Sequence, residues 1–365
     1  VTIRSACTAA SWLLTLLVAA AVPGWEQDSG HQHAVQSPVV DAVRDPNGSD
    51  RESDPYFSGS GPVRENDRLV WTYKLVITEQ EVRLANGAMY RVWAYGNRVP
   101  GPTLRAGEGD LVRVHVSNET STSHTIHFHG LFVPEKMDGV PPMSPAIKPG
   151  ESFTYEFIAM PAGTHFYHCH VDSNEHLNRG MSGAFIVSPR LPEPPVDQDL
   201  VLMLGEWNSK YAQEGRPGNP QDVFTADIFT FNARSFPYTP QIKVKVGDIV
   251  RLRLINVGAQ AHSIHLHGHS FLVTHKDGKA LHEPLEMDTV PVSPGERVDI
   301  VFRATTEGEW PIHCHTPAHQ TNAGIYPGGM MLHLLVTARE NATTGERPGS
   351  TRELRLLWKA SAERR

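Results

Sequence analysis

The chain has 365 residues, 39% of them apolar and 20% charged, more than one ordinary core absorbs, and this predicts two domains. Thirty-three basic against forty acidic side chains give a formal charge of −7, which provides no electrostatic footprint for nucleic acid or an anionic membrane. Three cysteines exclude a disulfide framework, and the twenty histidines are the compositional anomaly.

Residues 1–25 carry Arg4, an apolar run from Trp12 to Val22 broken only by Thr15, and small residues before Pro23-Gly24. This reads as a secretory signal, too short for a bilayer span of roughly 20 residues, with an uncleaved anchor as the alternative. The protein is accordingly expected to be exported, and Cys7 to leave with the signal. Residues 26–66, rich in Ser, Asp, Gly and Pro, are expected to be a flexible lead segment in which His31 and His33 are solvated.

From there the chain repeats itself. Pro102-Thr-Leu-Arg-Ala-Gly-Glu-Gly109-Asp110 and the strand-like run to Asn118 match Pro240 to Asn256 at an offset of 138, and His124, His127 and His129 map onto His262, His265 and His267. Pro149-Gly150-Glu151 and His168-Cys169-His170 recur as Pro294-Gly295-Glu296 and His313-Cys314-His315 at an offset of 145. Two copies of one architecture, about 67–190 and 198–338, follow. Val112, Val114 and Val116 alternate with Arg113 and His115, as Val250, Leu252 and Leu254 alternate with Arg251 and Arg253, the period of half-buried strands. Short-spaced Gly-Asp and Pro-Gly-Glu turns and no convincing helical stripe predict an all-β protein of two antiparallel Greek-key sandwiches. The polar residues from 340 to 365 are expected to be a mobile tail with at most one helical turn.

Residues two apart in a strand share a face, so His127 with His129, His168 with His170, His265 with His267 and His313 with His315 each present two imidazoles together. Cys169 and Cys314 lie between their histidines and must face the other way, and so must His124 and His262. Each copy therefore predicts two sites back to back. On the cysteine side, the first copy gathers His124, Cys169, His176 and Met181, and the second gathers His262, Cys314 and His319. Two imidazoles, a thiolate and a weak thioether suit a blue copper site. Zinc accepts nitrogen and sulfur too, but does not explain a second site sharing the same tripeptide.

The motifs HTIHFHG, HCHVDSNEH, HSIHLHG and HCHTPAH resemble, in order, the four copper-binding motifs of the multicopper oxidases, and the two-copy layout over residues 67–338 is similar to the small two-domain laccases. The resemblance implies cupredoxin domains, a type 1 copper that takes electrons from substrate, and a trinuclear cluster that reduces dioxygen to water. By motif, His127 and His265 would hold type 2 copper, and His129, His168, His170, His267, His313 and His315 the type 3 pair. A Cys and a distal His in both copies point to two type 1 sites, hence five coppers per chain with both filled and four with one. Six extra residues, Ala323 to Gly328, separate His319 from Met330 and leave the second axial ligand open between Met330, Met331 and none. Asp138 and Asp288 resemble the acidic residues that supply protons beside the cluster, with turn capping as the alternative reading. His269 is read as a supporting or core residue, and His115, His165, His275, His282 and His333 as structural or surface residues.

Two domains alone have difficulty converging four His-x-His pairs, and the resemblance implies a head-to-tail homotrimer with clusters at the subunit interfaces. The expected reaction partners are dioxygen and a small reducing substrate, phenols and aromatic amines by default, with cuprous, ferrous or manganous ions open. Copper nitrite reductase is disfavoured because His127 occupies the position of its catalytic Asp. A copper carrier or electron-transfer protein would not need eight further histidines.

Overall fold

The computed structural model describes residues 57–364 except 86, 88, 210–224 and 340–349. The expected signal, the lead segment to residue 56 with His31 and His33, and the start of the tail lie outside the described residues. Among the described residues no helix is long and apolar enough to cross a membrane.

The first copy consists of β1 Phe57–Glu65, β2 Arg68–Arg83, β3 Met89–Tyr95, β4 Gly101–Gly107, β5 Leu111–Asn118, β6 His127–His129, β7 Ser152–Ile158, β8 Gly163–His168 and β9 Ser182–Ser188. One sheet runs β1-β2-β5-β7 with β3 also on β2, and the other runs β4-β9-β8-β6. The alternation read from the sequence holds in β5, where Val112, Val114 and Val116 are buried between the sheets with Leu104, Phe128, Tyr167 and Phe185. A six-residue helix, α1 Ser173–Asn178, joins β8 to β9.

The second copy follows with β10 Gln198–Trp207, β11 Ile228–Phe231, β12 Ile242–Lys245, β13 Ile249–Asn256, β14 His262–Leu266, β15 Phe271–Lys276, β16 Lys279–Met287, β17 Thr289–Val292, β18 Arg297–Arg303, β19 Gly308–Cys314 and β20 Met331–Thr337. Its sheets run β11-β10-β13-β18-β15-β16 and β12-β20-β19-β14-β17. The internal repeat reappears in the pairing: β2 is parallel to β5 and β4 to β9, as β10 is to β13 and β12 to β20. The fold is thus two β-sandwiches of shared design.

Three expectations are corrected. The end of the flexible segment is strand β1, closed onto β2 by Asn66 and Asp67, both at positive φ (46° and 64°), as a two-residue hairpin turn requires. The mobile tail contains a 13-residue helix, α2 Thr351–Glu363, opened by a capping box between Ser350 and Glu353. Its inward stripe of Leu354, Trp358 and Ser361 is buried, the helix packs on β15, β16 and β18, and the Arg251 guanidinium lies 4.7 Å over the Trp358 ring. Arg251 and Arg253, alternating with the apolar side of β13, are buried instead of solvated.

Arg251 is covered by Trp358 of α2, and Arg253 is buried because the copies pack together across it. Phe166, Ala184 and Ile186 on the outer side of β8 and β9 meet Val201, Met203 and Ile255, so these strands are covered on both faces. Arg253 crosses the joint: Nε and Nη2 donate to Asp199 at 2.6 and 2.7 Å, and Nη1 to Thr164 Oγ1 at 2.7 Å and to Asp299 at 3.2 Å. Arg251 donates to Glu193, in the linker between the copies, at 2.6 Å. Burial pushes the Asp199 carboxyl up, but the hydrogen bond and charge of Arg253 outweigh it and hold it below the usual carboxylate value.

Trp358→Ala is expected to cost about 3 kcal/mol, seen as a fall in the urea midpoint, whereas Leu356→Ala, on the exposed side of α2, should change stability by less than about 0.5 kcal/mol. Arg253→Met should cost about 3–5 kcal/mol at neutral pH, because it strands buried carboxylates. Since Asp199 titrates at a lowered pKa in the folded chain, the stabilisation is complete above roughly pH 4 and lost as pH falls through that lowered value. The variant's penalty should therefore shrink in acid, as read from urea titrations over a pH series.

Candidate metal centres

Parity places the cysteines as expected. At the end of β8, Cys169 Sγ lies 3.0 Å from His176 Nδ1, on α1, and 4.0 Å from His124 Nδ1, and the two nitrogens are 3.2 Å apart. At the end of β19, Cys314 Sγ lies 3.3 Å from His319 Nδ1 and 3.9 Å from His262 Nδ1, with the nitrogens 3.1 Å apart. All six side chains are buried and both cysteines are free thiols.

Outer hydrogen bonds fix which nitrogens converge. His124 Nε2 donates to Thr120 Oγ1 at 2.7 Å, and that hydroxyl in turn donates to Asn118 Oδ1. His319 Nε2 donates to Gln260 Oε1 at 3.2 Å, and His262 Nε2 faces Glu206 Oε2 at 3.5 Å. These outer partners can take the proton of each ring, which leaves Nδ1 free to present a lone pair toward the sulfur when a cation lies between. Apposed lone pairs at about 3 Å repel unless a cation lies among them, so the donor set fits a thiophilic metal ion.

The two methionines occupy matching backbone positions. Cys169 N donates to Met181 O and Met181 N to His176 O; Cys314 N donates to Met330 O and Met330 N to His319 O. Both side chains are fully buried in the same core clusters as their cysteines. Residues 323–328 therefore leave and return without displacing Met330, whereas Met331 begins β20.

Proton affinities differ between the two groups. Burial, with the neighbouring His176, pushes His124 down to about 3, burial brings His176 to about 4, and burial raises the Cys169 thiol. In the second copy burial would raise the Cys314 thiol, but hydrogen bonds from His262 and His319 outweigh it and bring it down to about 5. Burial would lower His262, yet Cys314 and Glu206 together raise it.

On the opposite faces the remaining histidines gather in fours. His127 lies with ring centroids 5.8, 5.1 and 5.5 Å from His129, His168 and His170. His265 lies 4.7, 5.6 and 5.6 Å from His267, His313 and His315, and His267 Nε2 is 2.9 Å from His313 Nε2. His168 and His313 each donate Nδ1–H to the carbonyl of the following cysteine at 2.9 Å, which frees Nε2. Burial, then the charge of Arg297, lowers His129 to about 4, and burial lowers His168 to about 3, so both offer neutral imidazoles. Among the described residues no group of three or more close metal-ligating side chains draws on both copies.

Asp138 and Asp288 act here first through their backbones: their carbonyls accept from His127 Nδ1 at 2.8 Å and from His265 Nδ1 at 2.9 Å. The Asp138 carboxylate also lies 3.3 Å from His127 Nδ1. His269 is buried against Trp310 and Phe302, its Nδ1 donating to His267 O. Sequence reasoning missed Thr120, Glu206 and the rings packed on the cysteine-side histidines: Trp93, 4.6 Å from His176, and Phe229, stacked 4.0 Å from His319. No sequence signal marks these positions, which lie outside the histidine clusters and, apart from Thr120, outside the aligned repeat.

The sequence profiles described as Multicopper oxidase match residues 76–192 and 213–339. The crystal structure of a blue copper oxidase from Nitrosomonas europaea is similar at 43% identity and a TM-score of 0.69, covering 72% of this chain and 85% of that one. A copper nitrite reductase from the same organism is similar at 25% identity and a TM-score of 0.62, covering 77% and 97%. Multicopper oxidase MmcO of Mycobacterium tuberculosis is 28% identical over 266 residues, 64% of this chain and 52% of that protein. The chain spans about half or less of the first curated relatives it matches, 52, 33 and 41% of their lengths. With two cupredoxin-like sandwiches and a copper-compatible donor set in each, the chain belongs to the multicopper oxidase family of copper oxidoreductases.

Proposed function

We propose that this protein is an exported, laccase-like oxidase that takes single electrons from phenolic or aromatic amine donors and reduces dioxygen to water. The observation that carries this reading is the back-to-back geometry of each tripeptide: Cys314 joins His262 and His319 on one side while His313 and His315 join the imidazole group on the other. When bound, copper supplies one-electron exchange at the cysteine centres and dioxygen reduction at the imidazole faces.

His124, Cys169, His176 and Met181, and equally His262, Cys314, His319 and Met330, would hold type 1 copper. His127 and His265, oriented by the carbonyls of Asp138 and Asp288, would hold type 2, and the other six face histidines the type 3 pair. The carboxyl groups of the same two aspartates are proposed to deliver protons. Because neither face gathers more than one copy's four imidazoles, a head-to-tail homotrimer would bring the first-copy face of one subunit to the second-copy face of the next. The insert between His319 and Met330 exposes Ile325 and Tyr326, an apolar apron suited to an aromatic donor.

Copper analysis with optical and spin-resonance spectra should give about five ions per chain, two of them blue. Cys314→Ser should remove one blue signal and one copper while Cys169→Ser removes the other; loss of both from either variant would contradict two independent centres. Light scattering should show a trimer, and oxygen consumption with a phenolic donor should be sustained. A single bleaching without oxygen uptake would identify a carrier instead, and nitrite-dependent turnover a nitrite reductase.

A further inference from the structure

We infer that Glu206 is a positioning residue that acts through His262 to set the second-copy cysteine centre at a lower reduction potential than the first-copy centre. The inference rests on the reading of both as type 1 copper sites.

Strand register makes the two copies comparable residue by residue. Ile77 stands opposite Asn118 across β2 and β5, as Leu204 stands opposite Asn256 across β10 and β13, so Glu79 corresponds to Glu206. Asn118 Oδ1 accepts from Thr120 N and Asn256 Oδ1 from Gly258 N, both at 2.9 Å, so the same turn holds Thr120 in one copy and Gly258 in the other.

The outer nitrogen of the first ligand histidine meets different chemistry in each. In the first copy the Thr120 hydroxyl, a neutral acceptor, takes the His124 Nε2 proton, and Glu79 turns outward to Arg91 and Trp93, 3.3 Å from each. In the second copy Gly258 has no side chain, and a Cβ there would overlap the Glu206 carboxylate, which fills the space. Room, not backbone conformation, requires this glycine. Glu206 Oε1 accepts from Ala259 N and Gln260 N, while Oε2 faces His262 Nε2 at 3.5 Å. Both facing atoms are buried and neither makes a hydrogen bond among the described residues, so each has only the other within ion-pair reach.

A carboxylate behind an imidazole N–H makes the ring a stronger donor through its other nitrogen, and buried charge is weakly screened. Both effects favour the more positive, oxidised state of a metal on Nδ1. A hydroxyl behind His124 gives the first effect weakly and the second not at all.

The test uses full-length copper-loaded protein in which Cys169→Ser or Cys314→Ser leaves one cysteine centre, its midpoint read by redox titration of the blue band. The second-copy centre should titrate below the first. Glu206→Gln should raise the second-copy midpoint by about 59 mV or more, a tenfold change in a one-electron equilibrium constant, and leave the first-copy midpoint in place. The pair Glu206→Ala with Gly258→Thr, which rebuilds the first-copy acceptor, should raise it likewise, and Glu79→Gln should move neither. An unmoved midpoint in both Glu206 variants, an equal shift with Glu79→Gln, or a second-copy centre above the first would overturn the inference. A Cys169→Ser protein without any blue band would instead sink the reading of the second-copy centre as type 1 copper, on which the inference rests.

Discussion

A β-strand turns successive side chains to opposite faces, and a three-residue stretch of that rule organises both halves of this molecule. In each His-Cys-His tripeptide the sulfur faces the sandwich core while the flanking imidazoles face outward, so two metal-compatible environments share one stretch of backbone. The apolar core excludes water from the sulfur side. On the outward side the hydrogen bonds that orient the imidazoles use backbone carbonyl acceptors. Everything else in the fold holds these two ribbons in place.

The duplication was legible because the chemistry repeats with the strands. The offset of Asn118 to Asn256 and the four histidine clusters are enough to write the two sandwiches and all twelve clustered histidines from the sequence. Other features were not legible, each for a physical reason. The stripe of α2 is interrupted by exposed Leu356 and Leu357, which blur its period. The Ser- and Gly-rich β1 gains its order from pairing with β2, not from its own propensity. Arg251 and Arg253 alternate with apolar residues whether they meet water or buried carboxylates, so the pattern alone cannot distinguish the two. Glu206 lies far along the chain from His262, and only the register of β10 on β13 brings it near.

The joint between copies illustrates the same economy. Its apolar patch is small, and the ion-pair cluster of Arg253, Asp199 and Asp299, with the Thr164 hydroxyl, adds directionality that hydrophobic contact lacks. Thr164 belongs to β8, the strand that leads into the first tripeptide, and Asp299 to β18 of the second copy. Arg297, which donates to Thr164 O, also lies near enough to His129 to lower its basicity. The orientation of one sandwich on the other is thereby tied to the electrostatics of the first imidazole face.

The excursion at 323–328 closes on itself: Gly328 N donates to Gln320 O, Gly329 N to Asn322 Oδ1, and the chain resumes its hydrogen bonds at Met330. A segment anchored in this way is free to vary in length and composition without disturbing the sulfur and nitrogen donors beneath it. Descendants of this chain could therefore change what approaches the centre by rewriting the exposed residues 323–327, leaving the donor set beneath them inherited intact.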